Sequence, residues 1–162
     1  MNRSRDELFQ QVAKELGHSF EGEIRIGGNY VSIVENGGEA YISGQVPRVG
    51  DKVVVTGRVG ADVSLEQARH AAKICAMRAL AILRQSPGGL DRIRKILRIT
   101  VYVQSAADFT QHSEVADAAS EVLYSIFAEA GVHTRTSVGV YQLPKNASVE
   151  LDMIVAVDKQ AG

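Results

Sequence analysis

The sequence has no tryptophan, one cysteine and no excess of charge of either sign. Each shortage removes a class of function. A lone Cys75 rules out an internal disulfide and a cysteine metal cluster. Aromatic residues make up 6% of the chain, too few for a platform on which single-stranded nucleic acid would stack. A formal net charge of -1 gives no general attraction to nucleic acid or to an anionic membrane. No apolar run reaches the roughly 18 residues of a membrane span. The stretch MNRSRDELFQQVAKELG is charged and lacks the apolar segment of a secretory signal, so a cytoplasmic protein is expected. The histidines, His18, His70, His112 and His133, form no pair at metal-ligand spacing, and no metal or cofactor is expected.

What is present suffices for a core. The 162 residues, 45% of them apolar, can bury one without disulfide or metal and are read as one domain, 1–162. Ser4 with Glu7 makes a capping box, and Leu8, Phe9, Val12, Ala13 and Leu16 recur at helical spacing, so 4–16 reads as an amphipathic helix within an extension over 1–20. The runs 30–34 and 40–44 read as a hairpin around Glu35-Asn36-Gly37-Gly38-Glu39, and Val53-Val54-Val55 as a short strand. Ser64 with Gln67 opens a long helix to about Gln85, with Ala68, Ala72, Cys75, Ala79 and Leu83 on one face and Pro87-Gly88-Gly89 as its stop. A strand follows over 92–104, with Ile93, Leu97, Ile99, Val101 and Val103 on one parity. Asp108 is expected to cap a second long helix ending at Gly131. Two last strands, joined through Leu143-Pro144-Lys145-Asn146-Ala147, read as a closing hairpin with Val138 and Val140 turned to the core. This order predicts an α+β fold with two long helices on one face of a mixed sheet.

Most candidate chemistry reduces to structure. Cys75 lies mid-helix on an alanine-rich face, with no helix N-terminus to lower its pKa, so it reads as core. Gly57 and Gly60 lack the G-K-[ST] ending of a phosphate loop. Arg92, Arg94, Lys95 and Arg98 read as a solvated strand face, too few for a nucleic-acid interface. Arg135 and Glu150 remain. They fit a solvated face with weak ion pairs. They equally fit a site in which a guanidinium binds a carboxylate bidentately and a carboxylate handles water. In a tight hairpin Glu150 would sit near Tyr141, leaving Arg135 roughly 20 Å away at about 3.3 Å per residue. A shared small-ligand site would then need Arg135 of one chain and Glu150 of another.

Three segments together resemble the Rid family, the reactive intermediate deaminases also called YjgF-like. They are Gly28-Asn29-Tyr30, then Tyr41-Ile42-Ser43-Gly44-Gln45-Val46-Pro47, then the run from Arg135 through Leu143-Pro144 to Glu150. The resemblance covers roughly 28–157 and is closest to a longer, less characterised branch of about 150 residues. It implies a chorismate-mutase-like fold and a homotrimer with pockets between subunits. The activity it implies is cofactor-free hydrolysis of reactive enamines and imines, such as 2-aminoacrylate, to 2-keto acids and ammonia. Arg135 matches the arginine that binds the substrate carboxylate, and Glu150 the glutamate that handles the attacking water. Tyr30, Ser43 and Gly44 match pocket-lining positions. Ser137 stands where the common motif has cysteine, and Gly139 where active relatives often have a larger residue. Two other readings stand beside this one: a non-catalytic trimer that binds a small carboxylate or 2-keto acid, and the endoribonuclease label some members carry. Net charge and the lack of a catalytic histidine pair argue against the last.

Overall fold

Residues 2–159 are described by a computed structural model. Helix α1 (Arg5–Leu16) begins at Ser4, whose hydroxyl accepts from the Glu7 N–H while the Glu7 carboxylate accepts from the Ser4 N–H. Strands β1 (Ile33–Asn36) and β2 (Glu39–Gln45) form an antiparallel hairpin. Strands β3 (Arg48–Val49) and β4 (Lys52–Val53) make a separate two-residue ribbon, shorter and earlier than the strand read at Val53–Val55. Helix α2 (Leu65–Gln85) starts at a second capping box, on Ser64 and Gln67. Strand β5 (Ile93–Gln104), helix α3 (His112–Phe127), strand β6 (Thr134–Val140) and strand β7 (Val149–Val157) complete the order. The architecture is α+β, with helices on one face of a mixed sheet ordered β1-β2-β7-β5-β6.

Helix α2 is the centre of the core. It packs on β2 and β7 beneath and on α1 and α3 beside it. With neighbours all round, it is buried almost without interruption from Ala71 to Leu83, and its alanines let the surrounding elements come close. Ile74, Met77, Leu80 and Leu83 are fully buried, each worth about 1.5–3 kcal/mol relative to exposure. Cys75 is also fully buried, its thiol directed to the Val149 carbonyl at 3.7 Å, and burial pushes its pKa far up.

Several expectations need correction. The last two strands are not a hairpin: β6 pairs with β5 in parallel and β7 pairs with β5 antiparallel, so β5 lies between them. The inward face of β6 is also reversed. Arg135, Ser137 and Gly139 lie level with the buried Ile99, Val101 and Val103 and face the helices, while Val138 is 39% exposed on the opposite face. Shifts in register along β5 turn Ile96 inward in place of Leu97. Gln111, not Asp108, precedes α3, without a side-chain capping bond, and α3 ends at Phe127 in a 3₁₀ turn, Ala128–Gly131. Arg92 is not part of a solvated basic face. It is 8% exposed and donates to both carboxylate oxygens of Glu35 at 2.7 Å.

That pair ties the start of β5 to the β1 edge. The hydrogen bonds from Arg92 hold the Glu35 carboxyl below the ordinary glutamate range. Glu35→Gln should cost about 1–2 kcal/mol at neutral pH, because it leaves a buried guanidinium without its counter-charge; the 38% exposure of the Glu35 side chain screens part of the effect. A depressed folded pKa means the wild-type advantage is full above the unfolded glutamate pKa and is lost as pH falls through the folded value. Thermal melts of both proteins at neutral and acid pH check this.

Candidate active site

The site is built where β2 leaves β7. Antiparallel pairing runs regularly from Glu39 to Ile42, then one extra residue enters β2, so that Gln45 rather than Gly44 lies opposite Leu151. The resulting bulge at Ser43 and Gly44 brings the Gly44 backbone against Glu150. A β-carbon at 44 would stand 2.9 Å from the Glu150 carboxyl carbon, so only glycine leaves the carboxylate where it is. Alternation along β7 sends Val149, Leu151 and Met153 to the helices and Glu150 and Asp152 to the opposite face. Tyr102, level with Glu150 on β5, donates from its hydroxyl to Asp152 at 2.9 Å.

Glu150 lines a cavity of about 210 Å³ together with Tyr30, Gly44, Gln45, Pro144 and a group of basic side chains. Burial pushes its pKa above the ordinary glutamate value, and the neighbouring Asp152 charge adds to the rise. No cation pairs with it among the described residues. A carboxylate of raised pKa in a cavity is suited to accept a proton from water near neutral pH.

Of the six residues proposed from sequence, Tyr30, Gly44 and Glu150 meet in this cavity. Ser43 is next to it, but its hydroxyl is turned to the Ser32 carbonyl at 3.3 Å. Arg135 and Ser137 are elsewhere, on the helix side of β6. The Arg135 guanidinium donates to Asp117 at 2.7 Å, to the Ser120 hydroxyl at 3.1 Å and to the Ser113 carbonyl at 3.5 Å, all on α3. Ser120 also bonds His133 at 2.9 Å, and burial holds the His133 pKa down, with the Arg135 charge acting the same way. A β-carbon at position 139 would lie 2.7 Å from His112 Nε2 and 2.9 Å from the Ser105 hydroxyl, so a larger residue there requires those side chains to shift. Arg135 lies level with Ile99 and Glu150 with Tyr102, on opposite faces and on either side of β5. Two strand spacings and three residues separate their Cα atoms by about 14 Å, which replaces the longer hairpin distance. Within one chain the two cannot grip one small ligand.

A family model described as "YjgF/chorismate_mutase-like, putative endoribonuclease" matches residues 17–156. The chain belongs to the YjgF family. Protein TCP17 of Trypanosoma cruzi is 37% identical over 131 residues, covering 80% of this chain and 82% of that protein. The crystal structure of Atu1372 from Agrobacterium tumefaciens is 35% identical, with a TM-score of 0.85 over 96% of this chain and 95% of that one. A Shewanella oneidensis structure titled "putative endoribonuclease" is 27% identical, with a TM-score of 0.84 over 92% of this chain and 99% of the other. Helix α1 precedes the stretch that the YjgF family model matches.

Beyond the YjgF-like segments, sequence reasoning missed the basic wall of the cavity: Arg25, Arg48, Arg78 and Lys145. Arg48 directly follows the Ser43–Pro47 segment, and Arg78 is a charge inside an otherwise apolar helical run, which was the available signal. No three His, Cys, Asp or Glu among the described residues are grouped to hold a metal ion. No helix among them is long and apolar enough to cross a membrane. Because the folded Glu150 pKa is raised, its charge opposes folding above the folded pKa and ceases to do so below the unfolded value. Glu150→Gln should therefore raise the melting temperature at neutral pH, and the gain should disappear in acid; paired thermal melts check the sign.

Proposed function

We propose that the protein is an imine and enamine deaminase, hydrolysing 2-imino acids to 2-keto acids and ammonia in pockets between the subunits of a homotrimer. The observation that carries this reading is Glu150: a half-buried carboxylate of raised pKa, without a cation, in a cavity with Tyr30 and the Gly44 backbone. Glu150 orients a water and takes its proton as the oxygen attacks the imine carbon. Glu150 passes this proton to the imine nitrogen and then relays the adduct's hydroxyl proton to the same nitrogen, so that ammonia leaves with both protons of the water and the carbonyl remains. The imine is already electrophilic, so the step needs no cofactor.

The substrate carboxylate needs a guanidinium, and Arg135 of a neighbouring copy is the candidate. Support comes from its place on the edge strand β6, on the face of the sheet opposite to Glu150. The uncovered face adds to this: Val34, Tyr41, Tyr102, Ile154 and Val138 run across it, and Val34, Tyr41 and Val138 are exposed in a single chain. An apolar face of that kind is what a second copy would cover. The endoribonuclease wording attached to the family and to the Shewanella structure has no counterpart in the charge of this chain, whose formal net value is -1.

The alternative is a trimer that binds a small carboxylate or 2-keto acid without turning it over, and it needs Arg135 equally. In the single chain Arg135 is held by Asp117, Ser120 and Ser113, so both readings require its guanidinium to reach the ligand from there. Release of 2-keto acid from enzymatically generated 2-imino acids separates the two. Glu150→Gln should lower kcat about 100-fold or more, as expected for loss of a general base, while product binding persists. Arg135→Ala should lower kcat/KM about tenfold to a hundredfold, the value of a charge-assisted carboxylate contact. Keto-acid release by wild type no faster than in buffer alone would leave the binding reading.

A further inference from the structure

The cavity carries more positive charge than one substrate carboxylate calls for. Arg25 is paired with Asp51 at 3.5 Å and with Glu23 at 3.9 Å. Arg48, Arg78 and Lys145 have no acidic partner among the described residues. Arg78 is 5% exposed, and its guanidinium donates only to neutral acceptors: Gln45 Oε1 at 3.2 Å, the Arg48 carbonyl at 2.9 Å and the Arg25 carbonyl at 3.3 Å. A buried arginine held only by neutral acceptors is stabilised further when an anion arrives beside it. Beside it, Arg48 Nε is buried and has no hydrogen-bond partner.

The opposite wall is strained towards the same space. Lys145 and Asn146 both have φ of 58°, a conformation that side-chain-bearing residues seldom adopt. The turn is held there by Gln104, which accepts from the Leu143 N–H at 2.7 Å and donates to the Asn146 side-chain oxygen at 2.8 Å. A strained residue over-determined by its surroundings, on the wall of a cavity, points to use. Three unpaired cations thus face a single carboxylate, Glu150, in about 210 Å³. That volume admits a small organic acid.

We infer that Arg48, Arg78 and Lys145 form a second anion subsite, and that the substrate is a 2-imino dicarboxylic acid whose distal carboxylate they bind. This rests on the deaminase reading for the reaction and on the basic wall for the second acid group. The imine of a keto diacid and water give the keto diacid and ammonia, with no other reactant. The reaction that supplies such an imine is oxidation of an acidic amino acid at its amino-bearing carbon.

Two measurements test this on the full chain. Calorimetric titration with 2-oxoglutarate and with 2-oxobutyrate should give at least tenfold tighter binding of the diacid. Arg48→Met should shrink that preference tenfold or more, and Lys145→Met should shrink it in the same direction. Arg48 is partly exposed and Lys145 exposed, so both variants should fold, whereas Arg78→Met would remove a buried side chain from the core. Hydrolysis of the diacid imine, made by oxidising aspartate, is then compared with that of the imine of a monoacid. Equal affinity for diacid and monoacid in the wild type overturns the subsite, even if both imines are hydrolysed. A diacid preference that depends on Arg48, with no imine turned over, leaves the subsite standing and overturns the deaminase reading.

Discussion

The pairing of β5 on both edges is the constraint on which the rest depends. One strand accepts a parallel neighbour, β6, and an antiparallel one, β7. A parallel partner requires a crossover, and α3 supplies it, packing on the same face as α2. The arrangement fixes which residues can meet. Val149, Leu151 and Met153 on β7 and Ile99, Val101 and Val103 on β5 meet beneath the helices. Glu150 and Tyr102 are thereby sent to the other face, and Arg135 on β6 is drawn towards α3. On the proposed reading, the same pairing that stabilises the monomer core leaves each site incomplete without a second copy.

Local chemistry was the legible part of the chain. Both capping boxes and the helix between Ser64 and Gln85 form as residues a few positions apart indicate, and a first hairpin forms too, though its strands are Ile33–Asn36 and Glu39–Gln45 rather than 30–34 and 40–44. Partner choice between strands is not local. Two alternating runs separated by a turn read as a hairpin, yet Pro144–Asn146 closes a 3₁₀ turn that carries the chain across β5. Alternation on β6 marked two faces but not which of them is inward. Edge position explains the inversion: Arg135 can lie on the helix side because Asp117 and Ser120 meet its charge there, while Val138 waits on the uncovered face. Arg92 reads as a solvated charge for the same reason, since its partner Glu35 stands 57 residues away.

The site divides similarly. Glu150 was readable from the polar face of its strand, whereas Tyr30 and Gly44 were reachable only through the resemblance of their segments to the YjgF family. Arg78 was not, because a single charge on a helix can face water, and only the tertiary packing of α2 places it under Gln45 and beside the cavity. Gln45 was readable only as part of the Ser43–Pro47 segment, yet it is the hinge of the arrangement. The bulge turns it inward opposite Leu151, where it is buried, accepts from Arg78 and donates to the Ser43 carbonyl.

Glu150 forms no ion pair with the cations of the cavity wall among the described residues, and the direction of its pKa shift agrees with that separation. A carboxylate close to three arginine or lysine groups would have its pKa lowered, because opposite charge within a few ångströms favours the ionised form. Here burial raises it, and the one neighbouring charge that matters is the like charge of Asp152. The cations of the wall make no ion pair with Glu150 among the described residues. Arg78 is held back by its own hydrogen bonds to Gln45 and to the Arg48 and Arg25 carbonyls, and neither Arg48 nor Lys145 pairs with a carboxylate among the described residues. Closing that gap inside the chain would cancel both functions, turning a base and an anion subsite into a structural ion pair. A bound diacid spans it without doing so, since its distal carboxylate meets the cations while its reactive carbon lies towards Glu150.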